Sequence, residues 1–208
     1  IVEGSEVNRE NNYTVTYTPA DFTITTRPIT LVADDQTKTY GDATFDLGNT
    51  AFTVSDAQGD GMASGESIAT VTLTSSGTAE YADVGNYPIS ISDAAASSGA
   101  DLNNYDISYQ TGTLTVGQRT LTLSGFAATD KVYDGTTDVT GTGFVDDRKT
   151  GDILSFSYDV AFADADAGVV KDVDYSNIQI TGGADMNNYS LSTTSGAATA
   201  GISQRSVE

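Results

Sequence analysis

The sequence has 208 residues, room for one large domain or two small ones, and a formal net charge of -20. So acidic a surface repels nucleic-acid phosphates and anionic lipid headgroups, which excludes nucleic acid and membranes as partners but not cations. The absence of Cys removes disulfides, thiolate zinc sites and thiol nucleophiles, and the absence of His removes the commonest general base and transition-metal ligand.

Only 38% of the residues are hydrophobic, which predicts thin cores. Tyr is the main large residue and Trp is absent; with Val, Ile and Thr it suits pleated, half-buried surfaces. In chain order, alternation first predicts a strand with Ala69, Val71 and Leu73 on one face and Thr70, Thr72 and Thr74 on the other. Tyr87, Ile89 and Ile91 mark a second strand, Leu154, Phe156 and Tyr158 a third, and Ile178 with Ile180 a fourth. Turn residues separate them at Asp42, Gly59-Asp60-Gly61, Gly85-Asn86, Asn103-Asn104, Asp134-Gly135 and Gly182-Gly183. The Ala-rich stretch 93–100 carries Ser-Ser-Gly and reads as loop. Helical periodicity is nearly absent. No apolar run is of membrane-spanning length and no signal peptide opens the chain, so it reads as an internal piece of a longer one.

Three markers recur in a fixed order. Asn-Asn-Tyr ends at Tyr13, Tyr105 and Tyr189, at intervals of 92 and 84 residues. Lys-x-Tyr followed by an Asp/Gly pair occurs at Lys38-Thr39-Tyr40-Gly41-Asp42 and Lys131-Val132-Tyr133-Asp134-Gly135. An Arg before an apolar alternation occurs at Arg27, Arg119 and Arg205. The period of about ninety residues exceeds a solenoid unit and fits an independently folding sandwich of about 100 residues. The expected organisation is the end of a preceding repeat over 1–27, whole repeats over 28–118 and 119–204, and the start of another at 205–208.

The junctions lack a Gly/Ser linker. Apolar residues step by five across each, from Ile24 to Ile29, Val116 to Leu121 and Ile202 to Val207. An odd step reverses the apolar face of an extended chain. The last strand of one repeat is therefore expected to run straight into the first of the next, with the two cores on opposite sides. Such an array is a semi-rigid rod.

Residues 29–118, with Lys38-Thr39-Tyr40-Gly41-Asp42, Val84-Gly85-Asn86-Tyr87, Asn104-Tyr105 and Gly112-Thr113-Leu114-Thr115-Val116, resemble an MBG repeat of the YGX type. Residues 119–204, with Lys131-Val132-Tyr133-Asp134-Gly135-Thr136-Thr137, Gly151-Asp152, Gly183-Ala184-Asp185 and Asn188-Tyr189, resemble a YDG repeat. The second departs from the first at Gly168-Val169-Val170-Lys171, where the first has Gly85-Asn86-Tyr87-Pro88. The resemblance implies an all-β fold of tandem immunoglobulin-like antiparallel sandwiches. It also implies an extracellular location, at the bacterial surface or secreted, and a role in adhesion, biofilm or stalk architecture. It carries over no catalytic, cofactor-binding or metal residue, and no ligand-binding residue is assigned.

Several constellations have a structural and a chemical reading. Lys38 and Lys131 can cover an aromatic ring and meet a carboxylate, or, buried beside Asn and an acid, form an isopeptide crosslink. Tyr105 and Tyr189 are expected to cap a sandwich end and hydrogen-bond back to the chain, with Asn104 and Asn188 in left-handed turns. Asn12 and Asn188 also match the glycosylation sequon, an incidental match in a bacterial repeat. Asp164, Asp166, Asp172 and Asp174 read as acidic surface rather than a calcium loop; structural calcium there, or near Asp34, Asp35 or Asp185, is the alternative, and no other cofactor is expected. Carboxylate pairs without Trp to stack a sugar do not make a glycosidase, and the chain is read as no enzyme. The expected function is a spacer projecting a distal binding region, whose glycan or protein receptor meets other parts of the parent chain. Two alternatives are a low-affinity glycan- or protein-binding module acting multivalently, for which Tyr17, Tyr81 and Tyr109 are the spare aromatics, and self-association into a matrix or filament.

Overall fold

A computed structural model describes residues 14, 16, 18–56, 61–97 and 99–208. Among them there is no α-helix; fifteen strands follow one another, broken by three short 3-10 turns. In the first half these are β1 (Arg27–Ala33), β2 (Gln36–Thr39), β3 (Phe52–Ser55), β4 (Ile68–Thr74), β5 (Gly85–Ala96), β6 (Tyr105–Gln110) and β7 (Gly112–Gly117). In the second they are β8 (Arg119–Leu121), β9 (Leu123–Ala127), β10 (Lys131–Val132), β11 (Gly143–Asp146), β12 (Ser155–Phe162), β13 (Gly168–Gly182), β14 (Tyr189–Leu191) and β15 (Gly196–Ser203).

Each half has its own pairing. In the first, β3-β1-β6 form one sheet and β2-β7-β5-β4 the other. The second reproduces this with β11-β9, β14-β8 and β10-β15-β13-β12, the single strand β1 being split into β8 and β9. The entering strands pair in parallel in both halves, β1 with β6 and β2 with β7, then β8 with β14 and β10 with β15. The first core draws Ile29 and Leu31 from one sheet and Ile89 and Leu114 from the other, all at most 2% exposed. Leu123, Val173, Tyr175 and Ile178 make the second core. Two sheets closing on one core in each half are consistent with β-sandwiches.

Matching bulges re-aim the long strands. Asp93 in β5 and Asn177 in β13 are the only described non-glycine residues with positive φ, 52° in each, and pairing with β4 and β12 shifts there. An extra residue reverses which side chains point inward. In β4 a separate shift, between Ile68 and Thr70, leaves Ile68 buried and Ala69 exposed, contrary to the simple alternation. β13 serves two clusters, Ile178 in the second core and Ile180 at the boundary between the halves.

Other expectations are corrected. Gly85-Asn86 opens β5 instead of turning, and Asp93 to Ala96 continue it as strand. Asn104 and Asn188 sit in 3-10 turns, Leu102–Asn104 and Met186–Asn188, and neither is left-handed. Across 168–171 the equivalence is resolved by register: Gly168 faces Ile202 as Gly85 faces Val116, and one inserted residue brings Lys171 to the place of Tyr87. Within 1–27, Asn11-Asn12-Tyr13, Val15 and Tyr17 lie outside the described residues; Phe22 and Ile24 are 88% and 85% exposed and belong to no strand.

Candidate functional site

The most elaborate polar site joins the two halves. Tyr105 and Tyr189, each following its 3-10 turn, are held by the same local device. The Tyr105 hydroxyl accepts from the Ala63 N–H at 2.9 Å and donates to the Glu66 carboxylate. The Tyr189 hydroxyl accepts from the Lys149 N–H at 2.9 Å and donates to Asp152 Oδ2 at 2.5 Å. The clamps are Ala63-Ser64-Gly65-Glu66 and Lys149-Thr150-Gly151-Asp152. In each, the acid's N–H returns to the carbonyl of the first residue, at 3.0 and 3.1 Å. Gly65 and Gly151 have φ of +84° and +100°, a conformation only glycine adopts freely. Both tyrosines thus cap their half and bond back to the chain, as the sequence predicts. The acid that receives each hydroxyl is not among the predicted residues. Its signal is a Ser/Thr-Gly-acid triplet that places the acid 39 and 37 residues before the tyrosine.

The second clamp does more than the first. Tyr40, from the first half's Lys-x-Tyr motif, donates to the same Asp152 Oδ2 at 2.9 Å. Its ring lies edge-on to Tyr189, with centroids 5.4 Å apart. Tyr40, Val116, Leu121, Leu154 and Tyr189 form a small buried cluster of their own. Burial, reinforced by the Asp152 carboxylate, raises the Tyr40 pKa and pushes Tyr189 up to about 12. The expected separation of Val116 and Leu121 is therefore corrected. The odd step does divide Leu114 from Leu123, which belong to different cores, but Val116 and Leu121 meet in the joint. The break between β8 and β9 at Thr122, whose N–H donates to Asp147 at 2.8 Å, gives Leu121 this independence.

A second set of bonds surrounds the cluster. Asn188, only 4% exposed, accepts from the Val84 N–H at 2.9 Å and donates to Asp83 at 2.8 Å, both across the boundary. That burial leaves its sequon closed to modification in this state. Lys149 pairs with Glu80 at 2.8 Å, and its stem lies where a Cβ on Gly41 would stand, 2.8 Å away. Gln118 alone separates β7 from β8, and its amide donates to the Asn187 carbonyl at 3.0 Å. Lys38, 7% exposed, donates to the Ala79 carbonyl at 2.5 Å and so anchors the loop carrying Glu80, Asp83 and Val84. Burial lowers its pKa against the opposing pull of Asp42 and Glu80. Among the described residues one group is left over, the Arg119 Nε, buried without an acceptor.

The remaining candidates fall elsewhere. Lys131 lies 5.6 Å from the Phe162 ring and bonds to Asp134 at 2.8 Å and to Thr136. Neither lysine's Nζ is bonded to an asparagine, so the contact an isopeptide requires is not formed. Asp164 is paired with Lys171, while Asp172 and Asp174 lie exposed along β13. Asp35 and Asp185 each accept a backbone N–H, from Thr113 at 2.7 Å and Ile153 at 2.8 Å. Among the described residues no group of three or more Asp or Glu is arranged to hold a metal ion. Of the spare tyrosines, Tyr81 packs edge-on to Tyr40 and Tyr109 accepts from the Ala94 N–H, so they form no common platform.

Comparison with known proteins returns no curated relative. Family models match residues 29–115 to the MBG domain (YGX type) and residues 117–196 to the YDG domain. The two halves described above, each with its tyrosine clamp, are thus an MBG domain of the YGX type followed directly by a YDG domain.

Proposed function

We propose that these two domains are immunoglobulin-like spacer repeats of a bacterial surface or secreted adhesin, stacked as a semi-rigid rod that holds a distal binding region away from the cell. The observation that carries the reading is the joint. Two tyrosines from different repeats share one carboxylate over a buried apolar cluster, and a single residue connects the strands. Flexible linkers leave interdomain angles open, whereas a packed joint restricts them. The net charge of -20 favours an extended, soluble chain, and the receptor is then met by other parts of the parent protein. The chain does no chemistry in this reading. Small-angle scattering of the intact chain, combined with one interdomain spin-label distance, tests it. A single narrow distance distribution is expected; a broad one overturns the rod.

The multivalent binding module and the self-associating matrix are the competing readings. A sugar platform needs clustered exposed aromatics, and Tyr81 and Tyr133 lie in different loops and Tyr109 in β6. No observation favours either alternative over the spacer.

A further inference from the structure

The far end of the YDG domain repeats, position by position, the end by which the MBG domain grips its neighbour. The Tyr133 N–H donates to the Ser203 carbonyl at 2.8 Å, as the Tyr40 N–H does to Gly117 at 2.9 Å. Lys131 faces Ile202 where Lys38 faces Val116. Asp166-Ala167 precede Gly168, which faces Ile202; Asp83-Val84 precede Gly85, which faces Val116. Five residues after Ile202 comes Val207, as Leu121 follows Val116, and Arg205-Ser206-Val207 takes the pattern of Arg119-Thr120-Leu121.

The surroundings differ. Tyr133 is 41% exposed against 2% for Tyr40, and Val207 is 93% exposed against 0% for Leu121. Asp166 and Ala167 are not buried, and an open groove bordered by Ala167, Gly168, Ile202 and Gln204 lies beside them. We infer that this end is one half of a second joint and that its occupant is a further repeat of the same kind, continuing from Arg205. The partner is defined by two elements: a Ser/Thr-Gly-acid turn whose carboxylate accepts the Tyr133 hydroxyl, and an Asn-Asn-Tyr turn whose asparagine meets Asp166 and the Ala167 N–H. Val207 then completes the apolar cluster in the place of Leu121. The loop before Gly168 lacks a counterpart of Glu80, so this joint closes without the lysine–glutamate pair.

The inference rests on the spacer reading and specifies how successive repeats recognise each other. It is tested by extending the intact chain with a second copy of residues 119–204 placed after Gln204. Nitration of each tyrosine by tetranitromethane is then followed by peptide mass spectrometry. Tyr133 should react readily in the present chain and fall to the rate of Tyr40 in the extended one. Asp166→Ala, outside the core, should restore part of its reactivity. Tyr133 reacting equally in both chains, with the added copy's own clamp tyrosine protected, overturns the inference. So does a protected Tyr133 that ignores Asp166→Ala. Either result leaves a narrow interdomain distance in the present chain untouched, so the inference and the rod reading fail separately.

Discussion

Tyr40 and Tyr133 occupy the same motif, make the same backbone hydrogen bond and differ in almost everything else. Tyr40 is enclosed, shares Asp152 with Tyr189 and belongs to a buried cluster; Tyr133 stands 41% exposed on an open end. The motif fixes where the ring is presented, and the neighbouring repeat decides what it does there. The Asn-Asn-Tyr turns teach the same from the other side, since Asn188 is buried against the MBG domain while Asn104, in the matching turn, is exposed.

The largest expected contrast comes from removing each ring. Tyr40→Ala should cost about 3–5 kcal/mol, the usual loss for a buried aromatic, and Tyr133→Ala within about 0.5 kcal/mol of nothing. Urea unfolding followed by residue-specific probes in each domain measures both. If Tyr40→Ala uncouples the joint, the two domains will unfold in separate transitions. Equal effects at the two positions would erase the distinction.

Asp152→Ala leaves two tyrosine hydroxyls without their acceptor and should cost about 2–3 kcal/mol; Glu66→Ala leaves one and should cost about half as much. The ratio matters more than either value, and a double-mutant cycle of Asp152→Ala with Tyr40→Phe gives the coupling across the boundary. Smaller again is Asn188→Ala, about 1–2 kcal/mol, because a buried donor–acceptor pair is lost while water reaches the partners. Asn104→Ala should be silent in the same assay.

Alkali provides the mildest test. Tyr40 and Tyr189 have pKa values raised above the ordinary 10, Tyr189 to about 12. The folded state therefore holds protons that the unfolded chain releases. The stabilisation is complete below pH 10; the share from Tyr189 is lost as pH climbs through 12, and that from Tyr40 is lost later. Absorbance titration in the near ultraviolet should show these two tyrosines ionising late. Asp152→Asn should weaken that delay at both, since the charge that opposes ionisation is gone.

Much of this is legible in the sequence, and the reasons for the rest are local. The repeat period and the strand faces at Ile89, Ile91 and Phe156 follow from periodicity and spacing, and the capping by Tyr105 and Tyr189 from their place after paired Asn at a strand entry. Ala69 misleads because the pairing of β4 shifts between Ile68 and Thr70, and no Gly or Pro marks the shift in the sequence. Asp152 stands out only as part of a Gly-Asp pair, because its partners lie 37 and 112 residues away and one of them belongs to the other repeat. A contact between domains leaves no periodic trace in either of them. Only aligning the two repeats on each other, Glu66 with Asp152, exposes the shared clamp.

The parallel pairing of entering and leaving strands has a mechanical consequence. Tension on the chain pulls the start of β2 and the end of β7 in opposite directions along the same axis, so their hydrogen bonds are sheared together instead of being opened one at a time. In the MBG domain four residue pairs share that load, Gln36 to Thr39 against Leu114 to Gly117. In the YDG domain the matching contact has two, Lys131 and Val132 against Ile202 and Ser203. With fewer pairs to share the load, the YDG domain is the one expected to yield first under a rising pull.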